Sequence, residues 1–110
     1  MSKKDEFGME INLKLLKFNK AEYKYNEAEY ITQLVNYIDS TYGQHYSSES
    51  DDGVQTIDVW KALGIEKESC QSNLIKYAMR YGKKDGFNKK DLLKIMHYTI
   101  LLWYFTDEEL

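Results

Sequence analysis

The chain has 110 residues, of which 43% are apolar and 30% charged, with a formal net charge of −3. That balance describes one ordinary globular domain with a single core rather than a disordered polymer. The overall acidity argues against general binding to duplex nucleic acid. No apolar run approaches the ~20 residues that cross a bilayer, and the lone Cys70 excludes an internal disulfide framework or a cysteine-based zinc site.

The opening residues, MSKKDEFGME, carry lysines without an apolar stretch behind them, so they do not read as a secretory signal. With the free cysteine, this gives the expectation of a cytoplasmic protein. Met9, Ile11, Leu13 and Leu15 alternate with polar residues, a pattern that suits a short strand, an extended arm or a helix. Residues 1–25 are therefore set apart as an N-terminal arm, and residues 26–110 as a single helical domain.

Asn26 to Glu29 forms an N-x-x-E start signal of capping-box type. Ile31, Leu34, Val35, Ile38 and Tyr42 then recur at helical spacing, which predicts a helix over 27–42 stopped by Gly43. Gln44–Gly53 is polar and helix-poor and reads as a long loop. Thr56 caps a short helix, IDVWKAL, closed by Gly64. A further helix runs from about Glu66 to Tyr81 before Gly82. The last begins at the N-x-x-D of Asn88–Asp91 and continues to about Phe105. The absence of proline favours such uninterrupted helices. The fold class is mainly α, a compact domain of about four helices.

The ILLWYF end of the last helix is apolar on nearly every side. A helix of that kind is buried centrally or shared with a partner. With ten tyrosines and two tryptophans in the chain, a homo-oligomer with an aromatic interface is expected.

Charge is unevenly distributed. Between Glu27 and Asp58 there are seven acids and no Lys or Arg, whereas Ser69–Lys94 holds seven cations against Asp85 and Asp91. Lys76 and Arg80 are four apart on one helix face, Lys83 and Lys84 follow its end, and a helix start lies just beyond. Cations beside unpaired helix-start N–H groups make an anion site, with phosphate as the natural ligand and Arg80 able to grip it bidentately. The competing reading is a set of solvated cations offsetting the helix dipole.

Gly82 and Gly86 do not form a Walker A loop, and there is no G-x-G-x-x-G. His45 and His97 have no spacing that suggests a metal site. Cys70 lacks an evident base and reads as a packing residue.

The segments HY at 45–46, GVQTIDVWKALG, and NLIKYAMRYGKKDGFNKKDLLKIMHY resemble a family of small bacteriophage proteins. That family is catalogued as a domain of unknown function and includes SaV-like proteins. The likeness covers residues 44–98. It falls on His45, Tyr46, Ile57, Asp58, Asn73, Lys76, Tyr77, Arg80, Gly82, Lys83, Lys84, Asp91, Leu92, Lys94 and Tyr98. The sequence departs from the family pattern at Gln55, Ser72 and Ile95.

One family member, from a short-tailed coliphage, is a nucleotide kinase without a Walker motif. The resemblance thus implies a deoxynucleoside monophosphate kinase acting in the infected host cytosol. In that reading Lys76, Arg80, Lys83, Lys84 and Lys94 hold phosphates, Asp58 or Asp91 holds Mg²⁺ or the sugar, and Tyr46, Tyr77 or Tyr98 stacks on the base. His45 and Asn73 complete the ligand-binding set. The alternatives are a non-catalytic oligomer that sequesters a host defence nucleotide, and an inhibitor that presents the acidic third to a host protein. Replacing Arg80 and Lys84 together is expected to abolish binding and leave the fold intact, since both side chains should be partly exposed.

Overall fold

The computed structural model describes residues 23–44 and 56–109, and it divides into two units with the boundary after Thr41. The described residues form four helices: α1 (Glu27–Gln44), α2 (Thr56–Leu63), α3 (Glu66–Arg80) and α4 (Lys89–Glu109). The protein is mainly α, and no strand occurs among the described residues. The alternating segment at residues 9–15 and nearly all of the long loop lie outside them. No helix of the described residues is long and apolar enough to cross a membrane.

α1 starts where the N-x-x-E signal places it, but with different capping chemistry. Asn26 adopts φ 59°, a left-handed conformation that asparagine tolerates better than most residues. Its carbonyl accepts the first helical hydrogen bond, from Tyr30 N–H at 3.1 Å. The carboxylate that reaches back belongs to Glu27, which accepts from Tyr25 N–H at 3.0 Å. Glu29 instead accepts from the Gln33 amide at 3.1 Å. Gly43 does not stop the helix, which continues through Gln44.

The second unit is built on an antiparallel hairpin of α3 and α4, with α2 packed against α3. The α2–α3 corner is a Schellman turn. Gly64 at φ 74° donates to Lys61 O at 3.1 Å, and Ile65 N–H donates to Trp60 O at 2.9 Å. α3 ends at Arg80, with Tyr81 leaving the helix at φ −60°, ψ 127°. α4 is capped by Asn88, whose side chain accepts from Lys90 N–H at 2.9 Å. The helix runs to Glu109, four residues beyond the expected end at Phe105. Two contacts of α4's final turn account for the extension: Glu109 pairs with Lys67 of α3, and Glu108 accepts from Tyr104 O–H at 2.7 Å.

Buried residues of the hairpin lie on the facing stripes. Cys70, Phe105, His97 and Asp91 are 0%, 4%, 5% and 2% exposed, so three of the four are ionisable. Burial pushes the Cys70 thiol up to about 11, with Glu66 adding to the shift. The sulfur therefore stays a protonated packing group. Burial also lowers the His97 pKa from its ordinary 6.5, and the charge of Lys94 acts in the same direction.

Gly82 and Gly64 both hold positive φ, but only Gly82 is crowded. A Cβ there would stand 2.8 Å from Phe87 Cε1, whereas nothing lies within 4 Å at Gly64. Gly64→Ala should cost about 1–2 kcal/mol of left-handed strain. Gly82→Ala should cost about 0.5–1.5 kcal/mol more, because it displaces Phe87 from its edge-to-face contact with Tyr81. Urea denaturation of the two variants checks the ordering, and equal losses would show that the Phe87 contact contributes nothing. For His97, a lowered folded pKa means that the unfolded chain binds the extra proton as pH falls below 6.5, so stability declines from there toward the folded pKa. Thermal denaturation over a pH series should show a shallower decline in His97→Gln, and parallel curves would place the acid sensitivity elsewhere.

Candidate anion-binding site

α3 carries two faces of different character. Residues 66, 70, 74, 77 and 81 turn toward the hairpin interior, while Ser72, Ile75, Lys76 and Met79 are exposed. The outward row continues through Arg80 into the turn at Lys83 and Lys84. Together these seven residues line an open groove of about 560 Å³. Four of them are cationic. Ile75 and Met79, 51% and 64% exposed, supply an apolar floor that was not singled out in the sequence. Its signal was present: two apolar residues at i, i+4 on the side of the helix opposite the core stripe.

The turn owes its shape to its own hydrogen bonds. Arg80 O accepts from Lys83 N–H at 2.9 Å and from Lys84 N–H at 3.2 Å, and Gly82 N–H donates to Gly86 O at 2.9 Å. Asp85 and Gly86 complete it at φ 61° and 69°. These bonds direct Lys83 and Lys84 to the groove, but they also occupy the turn amides. At the start of α4, Asn88 likewise takes Lys90 N–H through its side chain and Asp91 N–H through its carbonyl, at 2.9 and 3.0 Å. Of the helix-start N–H groups expected to form an anion site, those of Lys90 and Asp91 are thus engaged, and the cationic character of the groove comes from its side chains.

Arg80 differs from the lysines. Its Nε lies 3.6 Å from Asp91 Oδ1, and a terminal nitrogen lies 3.6 Å from Asp85 Oδ2. Neither separation is a hydrogen bond, and Arg80 Nε and Asp91 Oδ2 remain buried without hydrogen-bond partners. Asp91 is almost completely buried, so Arg80 is its compensating charge. Lys76, Lys83 and Lys84 are exposed, and no carboxylate pairs with them among the described residues.

Tyr77 sits among three cations: Lys76 Nζ, Lys94 Nζ and the Arg80 guanidinium carbon are 4.7, 5.5 and 5.7 Å from its ring centroid. Its ring stacks on Tyr98 at 6.2 Å and 12°, and Tyr98 in turn meets Trp60 at 6.4 Å. Trp60 was not anticipated in this cluster, because a contact between α2 and α4 leaves no spacing signal in the sequence. Lys94 is half-buried on α4 and lies outside the groove lining. Asn73 donates to Ser69 O of its own helix at 2.9 Å, and Asp58 is exposed in the first turn of α2. His45 and Tyr46 lie outside the described residues. Among the described residues, no cluster of three or more His, Cys, Asp or Glu is arranged to hold a metal.

The groove and its turn lie within a recognisable segment. Residues 40–99 match the model of a family described as a protein of unknown function, DUF3310. The chain belongs to the DUF3310 family. The match spans more than half of the chain and includes α2, α3, the closed turn and the first half of α4. No curated protein and no solved structure gives a significant match to this DUF3310 chain.

The ion-pair geometry argues for a structural cost to removing Arg80, although its side chain is partly exposed as expected. Arg80→Ala strands the Asp91 carboxylate and should destabilise the protein by about 1–3 kcal/mol. Lys84→Ala, at an exposed position, should stay within about 0.5 kcal/mol. Chemical denaturation of the two single variants checks the contrast, and an undisturbed Arg80→Ala would show that Asp91 finds its compensation elsewhere.

Proposed function

We propose that this DUF3310 protein binds a nucleotide or another phosphate-bearing small molecule in the α3 groove. The observation that carries the reading is the convergence of Lys76, Arg80, Lys83 and Lys84 on one open groove floored by Ile75 and Met79. A nucleotide combines these two demands in one ligand: its phosphates seek several cations, and its base or sugar covers apolar surface. Arg80, facing Asp91 and Asp85 at 3.6 Å, adds a planar guanidinium, while the three lysines act as mobile point charges.

The likeness to phage proteins, one of them a nucleotide kinase without a Walker motif, supports a nucleotide over other phosphorylated ligands. It also supports action in the cytosol of an infected cell. Binding is favoured over phosphoryl transfer by the make-up of the groove. Among the described residues of the lining, Ser72 contributes the single side-chain oxygen, and none is a carboxylate or imidazole that could act as a base. Mg²⁺ prefers hard oxygen ligands, and the described residues of the lining offer one, Ser72. Any Mg²⁺ here would enter on the phosphates of its nucleotide. Sequestration of a signalling nucleotide therefore fits the lining better than a deoxynucleoside monophosphate kinase does. The reading as an inhibitor of a host protein rests on the acidic 27–58 stretch alone.

A thermal-shift series with nucleoside mono-, di- and triphosphates and cyclic dinucleotides, with and without Mg²⁺, tests the reading. A bound ligand at 100 times its Kd should stabilise the protein by about 2.7 kcal/mol. The expected result is a metal-independent shift that weakens with added salt and drops at least about tenfold in affinity in Lys83→Ala/Lys84→Ala. Turnover of a deoxynucleoside monophosphate with ATP and Mg²⁺ would instead establish the kinase. No shift with any of these ligands would overturn the phosphate-binding reading.

A further inference from the structure

α4 carries charges that its dipole disfavours near both ends, although Asp91 in the first turn has the favoured sign. The N-terminus of a helix favours carboxylates and the C-terminus favours cations. α4 begins with Lys89 and Lys90 and ends with Asp107, Glu108 and Glu109, and its last turn holds no base. Glu109 pairs with Lys67 and Glu108 accepts from Tyr104. Lys89 and Asp107 make no ion pair or side-chain hydrogen bond among the described residues. Two uncompensated charges thus stand where the helix dipole disfavours them.

Both belong to one row. Lys89, Met96, Ile100, Trp103 and Asp107 follow one another at intervals of seven, four, three and four residues, which keeps them on a single helical face. Ile100 and Trp103 are 42% and 68% exposed, and Leu92 beside them is 37% exposed. The buried Asp91 and Phe105 occupy the other side of α4. The face is apolar along its length, with a cation at one end and an acid at the other.

The row is also nearly palindromic, which selects its occupant. A two-fold axis at the level of residue 98 sets Lys89 against Asp107 of a second copy and Met96 against Ile100, and brings Leu92 beside Trp103. Each contact is then repeated by symmetry. This arrangement opposes the two helix dipoles and pairs both stranded charges. A parallel pairing would set lysine on lysine and aspartate on aspartate. The second unit also has reason to associate, since its described residues bury only Cys70 and Phe105 among apolar side chains.

The geometry points to an antiparallel homodimer in which α4 pairs with α4 of a second copy through the Lys89–Asp107 row. Trp103 is its apolar anchor and the Lys89–Asp107 pairs set its direction. The surface shares no residue with the α3 groove, so the dimer stands or falls independently of ligand binding.

Sedimentation velocity of the full chain over a concentration series tests the proposal. The expected result is a monomer–dimer equilibrium whose association constant drops at least about tenfold in Trp103→Glu. Lys89→Glu and Asp107→Lys should each weaken the dimer, and the double swap should restore it. All three side-chain sites are exposed, and circular dichroism confirms that each variant keeps its helices; Trp103→Ala serves if Trp103→Glu does not. A chain that is monomeric at every concentration would overturn the proposal. So would a dimer indifferent to Trp103, or a double swap no tighter than its single parents.

Discussion

A carboxylate buried at the start of a helix requires a nearby positive charge, and Asp91 has Arg80 as its charge partner. That requirement ties the end of α3 to the start of α4 across a turn that is itself closed by Arg80's carbonyl. The guanidinium and the carbonyl of one residue thus set where α4 begins and where Lys83 and Lys84 project. At the far end of the hairpin the Lys67–Glu109 pair performs the matching task with exposed groups, where screening leaves it worth little. The two ends are therefore unequal: the closed end is specified by a buried charge, and the open end is held mainly by packing around Cys70 and Phe105.

The cationic groove is a by-product of that architecture as much as an addition to it. The stripe that packs α3 on α4 leaves Ser72, Ile75, Lys76 and Met79 on the outside, and the closed turn extends the same row with two lysines. Arg80 belongs to both faces. Its role in the interior limits how freely it can move toward a ligand, and the three lysines retain that freedom. Tyr77, with cations around it and Tyr98 stacked upon it, fixes the inner wall of the cationic region.

Much of the helical framework was legible from spacing. Apolar residues at helical intervals, Gly64 and Gly82 in left-handed positions, and Asn88 before the last helix each carried a local physical reason that the fold obeys. Gly43 misled because a glycine ends a helix only when the chain turns there, and α1 continues through it. The end of α4 was misplaced because its final turn depends on Lys67, forty-two residues earlier. Of the candidate site, the clustering of Lys76, Arg80, Lys83 and Lys84 was readable from helical geometry. The occupation of the backbone amides was not, nor was the Trp60–Tyr98–Tyr77 array, because both depend on contacts made only after the chain has folded back.

The closed turn has a kinetic consequence. The cations of the groove all lie between Lys76 and Lys84, on the end of one helix and the loop that leaves it. Bringing them together closes no long loop, so the entropy of assembling the site is that of a short local segment. Structures made of such local contacts form early and quickly. The groove thus draws its cations from one local segment, so its assembly does not wait for more distant segments to find their places.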